Sequence, residues 1–171
     1  MIVLRTERLT LRHLTPDDAP FILELVNDPS WIRFIGDRFV RNVDDAGRYL
    51  KTAYLGEYAK LGFGMYLAAL SDTGEPMGMC GLIKRDYLED VDIGFAFLPR
   101  FTSKGYALEA ARAVVTQARD VLGLKRIVAI TTHDNAPSRR LLEKLGMHLE
   151  KQYRPDDEPE ELCLYAIEWA D

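Results

Sequence analysis

The chain of 171 residues has the length of one domain with one hydrophobic core, so we expect a single domain over residues 1–171. Its formal net charge of −5, from 22 basic and 27 acidic residues spread along the chain, disfavours a general nucleic-acid binder. The N-terminus lacks the apolar run of a signal peptide, and no stretch approaches the roughly 20 apolar residues that span a bilayer. We therefore expect a cytoplasmic protein with no nucleic-acid or membrane partner.

The two cysteines, Cys80 and Cys163, lie in apolar segments, which predicts free, buried thiols. A cysteine–histidine nucleophile pair stays open as an alternative, because the chain also contains His13, His133 and His148. No pair of these residues has the spacing of zinc ligands, so no metal site is expected.

In the first third of the chain, alternating apolar and polar residues predict a strand over residues 8–14. Thr15 suits a helix N-cap and Pro16 the first helical position, which predicts a helix to about residue 27. A short helix is predicted after Pro29, and apolar residues at helical spacing predict another over residues 43–61.

The rest of the chain predicts a strand meander followed by a strand–helix–strand unit, a further helix and a closing hairpin. Strands are expected at 65–70, 77–83, 91–98, 127–130, 147–153 and 162–169, and helices at 107–122 and 136–145. This order predicts an α+β fold: a mixed, mostly antiparallel seven-stranded sheet flanked by helices, with one parallel β-α-β crossover.

Residues 98–107 are the most informative segment, because they lie where a strand passes into a helix. Backbone N–H groups at a helix start form a site for phosphate oxygens, and Gly105 and Ala107 would let a pyrophosphate approach the main chain closely. An ordinary strand-to-helix turn is the alternative interpretation. The segment lacks both the G-x-G-x-x-G spacing of dinucleotide folds and the G-K-[ST] ending of a P-loop.

Together with a second segment, residues 98–107 resemble the acetyl-CoA signature of the GNAT superfamily, Q/R-x-x-G-x-G/A. The second segment, Asn135-Ala136-Pro137-Ser138 leading to Gly146-Met147, is similar to the Asn-x-x-Ser and Lys-x-Gly-Phe pattern of that superfamily. Residues 6–12 (TERLTLR) and the run from Gly105 to Ala110 resemble the branch that contains the ribosomal-protein N-terminal acetyltransferases.

The resemblance implies a GNAT-like sheet whose crossover lies at a splayed centre, and acetyl-CoA as co-substrate. It implies nine cofactor-binding residues: Phe97, Thr102, Ser103, Lys104, Gly105, Tyr106, Ala107, Asn135 and Ser138. Three positions depart from the pattern, since Thr102 replaces Gln or Arg, Ser103 stands where Gly is common, and Met147 replaces Phe. Because backbone N–H groups would bind the phosphates, these departures affect affinity rather than identity.

For the base that removes a proton from the amine, the resemblance favours Asp92, either directly or through a water. The alternative is that Asp90 and Asp92 form the solvated edge of a strand. His133 is the substitute candidate, because an unperturbed imidazole has a pKa of about 6.5.

A proton donor for the departing thiolate is the second catalytic role. The superfamily often uses a tyrosine where this chain has Leu142, so Ser138 is the best placed hydroxyl, with simple helix capping as its alternative. Asn135 could likewise cap the helix, contact the pantetheine amides, or both. Lys104 could neutralise phosphate or be a solvated surface lysine, and the aromatic residues between residues 31 and 66 could line an acceptor cleft or pack the core.

The resemblance implies an N-acetyltransferase that moves acetyl from acetyl-CoA to a primary amine, preferably a protein or peptide α-amino group, by direct attack. Two alternatives stay open: a small-amine acetyltransferase acting on a polyamine, amino acid or antibiotic, and a non-catalytic acyl-CoA sensor. A homodimer is possible.

Overall fold

The computed structural model describes residues 1–170, which form one mixed sheet covered by helices. The strands are β1 (Ile2–Arg5), β2 (Leu9–His13), β3 (Met65–Leu70), β4 (Pro76–Ile83), β5 (Asp92–Phe97), β6 (Arg126–Thr132), β7 (His148–Tyr153) and β8 (Leu162–Glu168). The helices are α1 (Ala19–Val26), α2 (Pro29–Phe34), α3 (Val43–Leu50), α4 (Glu57–Leu61), α5 (Tyr106–Asp120) and α6 (Ala136–Lys144).

The sheet has the spatial order β1-β2-β3-β4-β5-β6-β8-β7 over the described residues, and β5 and β6 are its parallel pair. The predicted α+β class with one parallel crossover is therefore confirmed. The predicted count of seven strands is wrong, because β1 adds an eighth at the edge beside β2. Its four residues are too short to show the alternation by which the other strands are recognised.

Burial follows the predicted pattern where the periodicity is strong. Leu9 and Leu11 on β2 are fully buried, whereas the intervening Thr10 is partly exposed. The helix predicted over residues 43–61 is present as α3 and α4, but a π-helical turn, Lys51–Leu55, separates them. α4 ends at Gly62, whose φ of 78° lies in the left-handed region that glycine adopts readily at a helix end.

The centre of the sheet opens between β5 and β6. β5 pairs with β4 along its whole length, from Asp92 opposite Ile83 to Phe97 opposite Gly78. Its pairing with β6 is confined, within residues 1–170, to Asp92 opposite Val128. Beyond that pair the two parallel strands diverge, which leaves a gap on the side of the sheet where α5 and α6 begin.

A partly buried ion pair joins β2 to the start of α1. Arg12 donates two hydrogen bonds to the Asp18 carboxylate at 2.8 and 2.9 Å, and the Thr15 N–H donates a third at 2.8 Å. Burial alone would raise the pKa of Asp18, but these bonds outweigh it, so the pKa is lowered. A carboxylate held in this way stabilises the folded state only while it is ionised.

We expect Asp18→Ala to lower the free energy of unfolding at pH 7 by about 1–3 kcal/mol, because it removes those bonds and leaves Arg12 without its partner. Since the pKa of Asp18 is lowered on folding, its contribution is complete above the pKa of an unfolded aspartate, about 3.9, and is lost as the pH falls through the lowered folded value. Urea unfolding of wild type and variant at pH 7 and at pH 3 measures both effects. Asp17→Ala, at the exposed neighbouring position, is the control and should change stability little. A pH-independent difference would contradict the ionic origin.

Candidate active site

The gap between β5 and β6 opens into a cleft of about 780 Å³. Eight of the nine predicted cofactor-binding residues line it: Phe97, Thr102, Ser103, Gly105, Tyr106, Ala107, Asn135 and Ser138. Asp92 lines it as well, so the fold brings both predicted catalytic residues to one cavity. Lys104 lies outside the lining, with an exposed side chain and a carbonyl that accepts a hydrogen bond from Arg8 at 3.0 Å.

One wall of the cleft is the loop from Thr102 to Gly105, which precedes α5. Ser103 and Gly105 have φ values of 61° and 81°, so the backbone turns through the left-handed region twice. Glycine is favoured where φ is positive, which is a physical reason why a glycine is common at the position of Ser103. Gly105 is the N-cap of α5, and no described side chain caps that helix, so its first amides are free for a ligand.

A network of hydrogen bonds ties this loop to the turn between β1 and β2. Glu109 on α5 accepts from the Thr6 hydroxyl at 2.6 Å and from the Arg8 N–H and Nε at 2.8 and 2.7 Å. The Arg8 guanidinium also lies 4.4 Å from the centroid of the Tyr106 ring. In the sequence, the TERLTLR run was only a point of resemblance to a family. In the structure, its Thr6 and Arg8 support the loop before α5.

The opposite wall is the start of α6. Asn135 caps this helix, since its Oδ1 accepts from the Ser138 N–H at 3.3 Å, while both residues also line the cleft. Arg140 and Lys144 line the cleft too, one helical turn apart. The sequence reasoning missed these two cations, although their spacing of four residues places them on one helix face.

Asp92 is a buried polar residue of the cleft. The residue is 1% exposed, and its Oδ2 accepts from Arg85 Nε at 3.1 Å. Within residues 1–170, its buried Oδ1 accepts no hydrogen bond from another residue. Burial raises the pKa of Asp92, and Arg85 offsets part of that rise. The interpretation of Asp92 as a solvated strand edge is thus wrong; it describes only Asp90, which is partly exposed and bound to Arg126 at 2.9 Å.

His133, the substitute base, lies outside the lining of this cleft. Its Nδ1 is 3.9 Å from Cys163 Sγ and 3.4 Å from Gln152 Nε2. Both cysteines are free and buried, as predicted. For Cys80, burial raises the pKa of the thiol far above its usual range.

The aromatic residues of the first half divide between the two roles left open by the sequence. Trp31, Phe34, Tyr49 and Tyr54 line the cleft, and the hydroxyls of Tyr49 and Tyr54 lie 3.0 Å apart. Tyr58 and Tyr66 instead stack with His13 in the core, where the Tyr58 and His13 ring centroids are 3.8 Å apart. The end of the cleft beside α2 and the α3 region therefore has an aromatic lining.

Comparison with known proteins agrees with this geometry. Residues 8–148 match a family model described as an acetyltransferase (GNAT) domain. The "Uncharacterized N-acetyltransferase YoaA" of Bacillus subtilis strain 168 is 29% identical over 170 residues, 96% of each chain. From the same organism, the "Putative ribosomal N-acetyltransferase YdaF" is 29% identical over 149 residues, 82% of this chain and 78% of its own.

Solved structures share the fold over nearly the whole chain. An acetyltransferase from Agrobacterium tumefaciens strain C58 has a TM-score of 0.83 at 27% identity, covering 99% of this chain and 95% of its own. RimL, a ribosomal L7/L12 α-N-protein acetyltransferase solved with coenzyme A, has a TM-score of 0.82 at 17% identity, covering 98% of each chain, a likeness of fold alone.

The chain belongs to the GNAT acetyltransferase family. The enzyme class predicted from the sequence, an acetyl-CoA-dependent N-acyltransferase, is confirmed. No helix within residues 1–170 is long and apolar enough to cross a membrane.

Proposed function

We propose that the protein transfers acetyl from acetyl-CoA to a primary amine, preferably the α-amino group of a protein or peptide, by direct attack of the amine. The observation that carries the proposal is the buried Asp92 carboxylate, whose Oδ1 accepts no hydrogen bond from another described residue. It lies in the same cleft as the loop before α5. A buried carboxylate without a complete set of partners is costly to stability, and such groups are frequent at active sites.

The residues of the cleft fit a phosphate-bearing co-substrate. The uncapped start of α5 offers backbone amides and a helix dipole to a pyrophosphate, and Ser103 and Gly105 give the preceding loop its left-handed turns. Across the cleft, Arg140 and Lys144 would add positive charge, and Asn135 would meet the pantetheine amides. When bound, acetyl-CoA supplies the acetyl group as a thioester.

The other cleft residues take the acid–base roles. Asp92 would accept a proton from the amine, and its raised pKa brings it closer to the operating range of a general base. The main-chain N–H near Phe97, where β5 leaves β6, would stabilise the negative charge that develops on the carbonyl oxygen. Ser138 would donate its hydroxyl proton to the departing thiolate and take up a proton from solvent. Asp92 would release the amine proton to solvent, so both residues return to their starting state.

The acceptor preference has its support in one relative. The name of YdaF, a putative ribosomal N-acetyltransferase of similar length, favours a protein α-amino group.

One assay distinguishes this proposal from a small-amine acetyltransferase and from a non-catalytic acyl-CoA sensor. Release of coenzyme A thiol is measured with peptides, polyamines and amino acids as acceptors. Turnover of polyamines with none of peptides or amino acids would reject the α-amino preference. Acetyl-CoA binding without any turnover would indicate the sensor, and absence of binding at millimolar ligand would reject both.

The network around Glu109 gives a separate prediction. We expect Glu109→Gln to raise the Kd of acetyl-CoA about fivefold, roughly 1 kcal/mol, because Arg8 loses its charged partner and its hold on the loop weakens. Isothermal titration calorimetry measures the change. Asp120→Asn, at the exposed far end of α5, is the control and should leave the Kd unchanged. Equal constants in the two variants would contradict a supporting role for the network.

A further inference from the structure

Two arginines line the part of the cleft that also contains Tyr54. Arg38 and Arg85 both line it, and both act to lower the pKa of the Tyr54 phenol, which burial raises. Arg85 donates a hydrogen bond from Nε to Asp92, and about a third of its side chain is exposed. Tyr87 is its second neighbour. Arg38 is exposed and has no ion-pair partner in the described part of the chain. An anion bound between the two guanidinium groups would be attracted by both.

A buried donor in the same cleft is also without an acceptor. Trp31 is 6% exposed, and its indole Nε1 has no hydrogen-bond partner within residues 1–170. Asp92 Oδ1 is the converse, a buried acceptor without a donor. Unpaired buried polar atoms are rare, and both Trp31 and Asp92 line the cleft. A ligand that satisfied both atoms would present an anionic oxygen to the indole and an N–H to Asp92.

We propose, building on the proposed function, that the acceptor is an amine that carries a carboxylate within a few bonds of its nitrogen. Two sources share this chemistry: a free α-amino acid, and a peptide whose first residue is aspartate or glutamate. The amine would meet Asp92, and the carboxylate would meet Arg85 and Arg38, whose planar guanidinium groups match carboxylate geometry. The Arg85–Asp92 contact at 3.1 Å places the two binding groups side by side, as such a ligand requires.

The remaining carboxylates of the cleft do not favour a polyamine. Asp28 is occupied as the cap of α2, where it accepts from the Ser30 N–H at 2.9 Å. Glu57 lies in the first turn of α4, where the helix dipole stabilises its charge. A polycation that reached Asp92 would place its charges beside Arg85 and Arg38, which disfavours it.

The test compares acceptors that differ by one carboxylate in the thiol-release assay. The pairs are phenylalanine against phenethylamine, and a C-terminally amidated tetrapeptide beginning with Asp against the same peptide beginning with Asn. We expect the carboxylate-bearing member of at least one pair to have a kcat/KM about tenfold higher, and the pair that shows it identifies the source. Arg38→Gln should reduce that ratio to about 2, whereas Arg48→Gln, exposed on α3 and paired with Asp45, should leave it unchanged.

Two outcomes separate this proposal from the proposed function. Equal rates within both pairs, or faster turnover of spermidine, would overturn the carboxylate preference and leave amine acetylation intact. If no acceptor is turned over, the proposed catalytic function is rejected. The carboxylate preference is then tested by ligand binding alone. Calorimetric titration of N-acetylphenylalanine and N-acetylphenethylamine into protein loaded with coenzyme A would support the proposal if the acid binds at least about tenfold tighter. Equal affinities would overturn it.

Discussion

Asp92→Asn is expected to lower kcat about 100- to 1,000-fold while leaving the Kd of acetyl-CoA within about twofold of wild type. The amide keeps the size of the carboxylate but cannot take a proton from the amine, and a positioned general base contributes on the order of 10²–10⁴ in rate. Thiol release gives kcat, and calorimetric titration gives the Kd. Retained acetyl-CoA binding also shows that the variant is folded, although Arg85 has lost its charged partner.

Asp90→Asn is the matched control for this experiment. It lies two residues away, binds Arg126, and contributes no atom to the cleft lining, so its rate should equal that of wild type. If Asp92→Asn keeps full activity, Asp92 has only a structural role, and His133→Gln becomes the next variant to test.

The pH dependence gives a second readout of Asp92. Only the ionised carboxylate accepts a proton, so kcat at saturating amine must fall as the pH drops through its pKa. Because burial raises that pKa, the fall should occur at higher pH than for an ordinary aspartate. Arg85→Gln removes the neighbouring charge that lowers the pKa, so the acid limb should move to still higher pH. If the acid limb of Arg85→Gln coincides with that of wild type, Arg85 does not lower the pKa of the catalytic base.

Local patterns in the sequence were sufficient to predict most of the fold. Alternation identified β2, the Asn135 cap identified α6, and the glycine after residue 61 ended α4. Thr15 and Pro16 identified a helical segment, but it begins as a 3-10 turn, Pro16–Asp18, and becomes α1 only at Ala19. The missing strand β1 shows the limit of this reasoning. Its place beside β2 depends on pairing between distant backbone groups, and a four-residue strand carries little periodicity of its own.

The sequence predicted the part of the candidate site that depends on local backbone conformation, the loop before α5. It did not predict the residues that tertiary packing brings to the cleft. The small residues before α5 indicated a turn whose main chain a pyrophosphate could approach, and the structure adds that Ser103 and Gly105 both have positive φ there. By contrast, Arg38 and Arg85 lie 47 positions apart in sequence, and no local pattern relates them. The burial of Asp92 likewise depends on the elements that fold over β5, so spacing alone could not separate it from Asp90.

Gly105→Val should weaken acetyl-CoA binding at least tenfold, about 1.4 kcal/mol. Gly105 has a φ of 81°, which a β-branched residue adopts only with strain, and an added Cβ would lie 3.3 Å from Arg8 Nη2. The loop or the Arg8 side chain that supports it shifts to relieve this strain, and the amides lose the arrangement that would receive the pyrophosphate. Titration calorimetry measures the affinity, and urea unfolding measures the stability.

Gly123→Val separates this effect from simple backbone strain. Gly123 follows the far end of α5, has a φ of 66°, and no described heavy atom lies within 4 Å of an added Cβ. Both variants should lose about 1–2 kcal/mol of stability, since both force a left-handed conformation on valine. Only Gly105→Val should lose acetyl-CoA affinity, because only that glycine belongs to the loop before α5. If both variants lose affinity equally, the weakening reflects general destabilisation, and the loop would lose its assignment as the phosphate site.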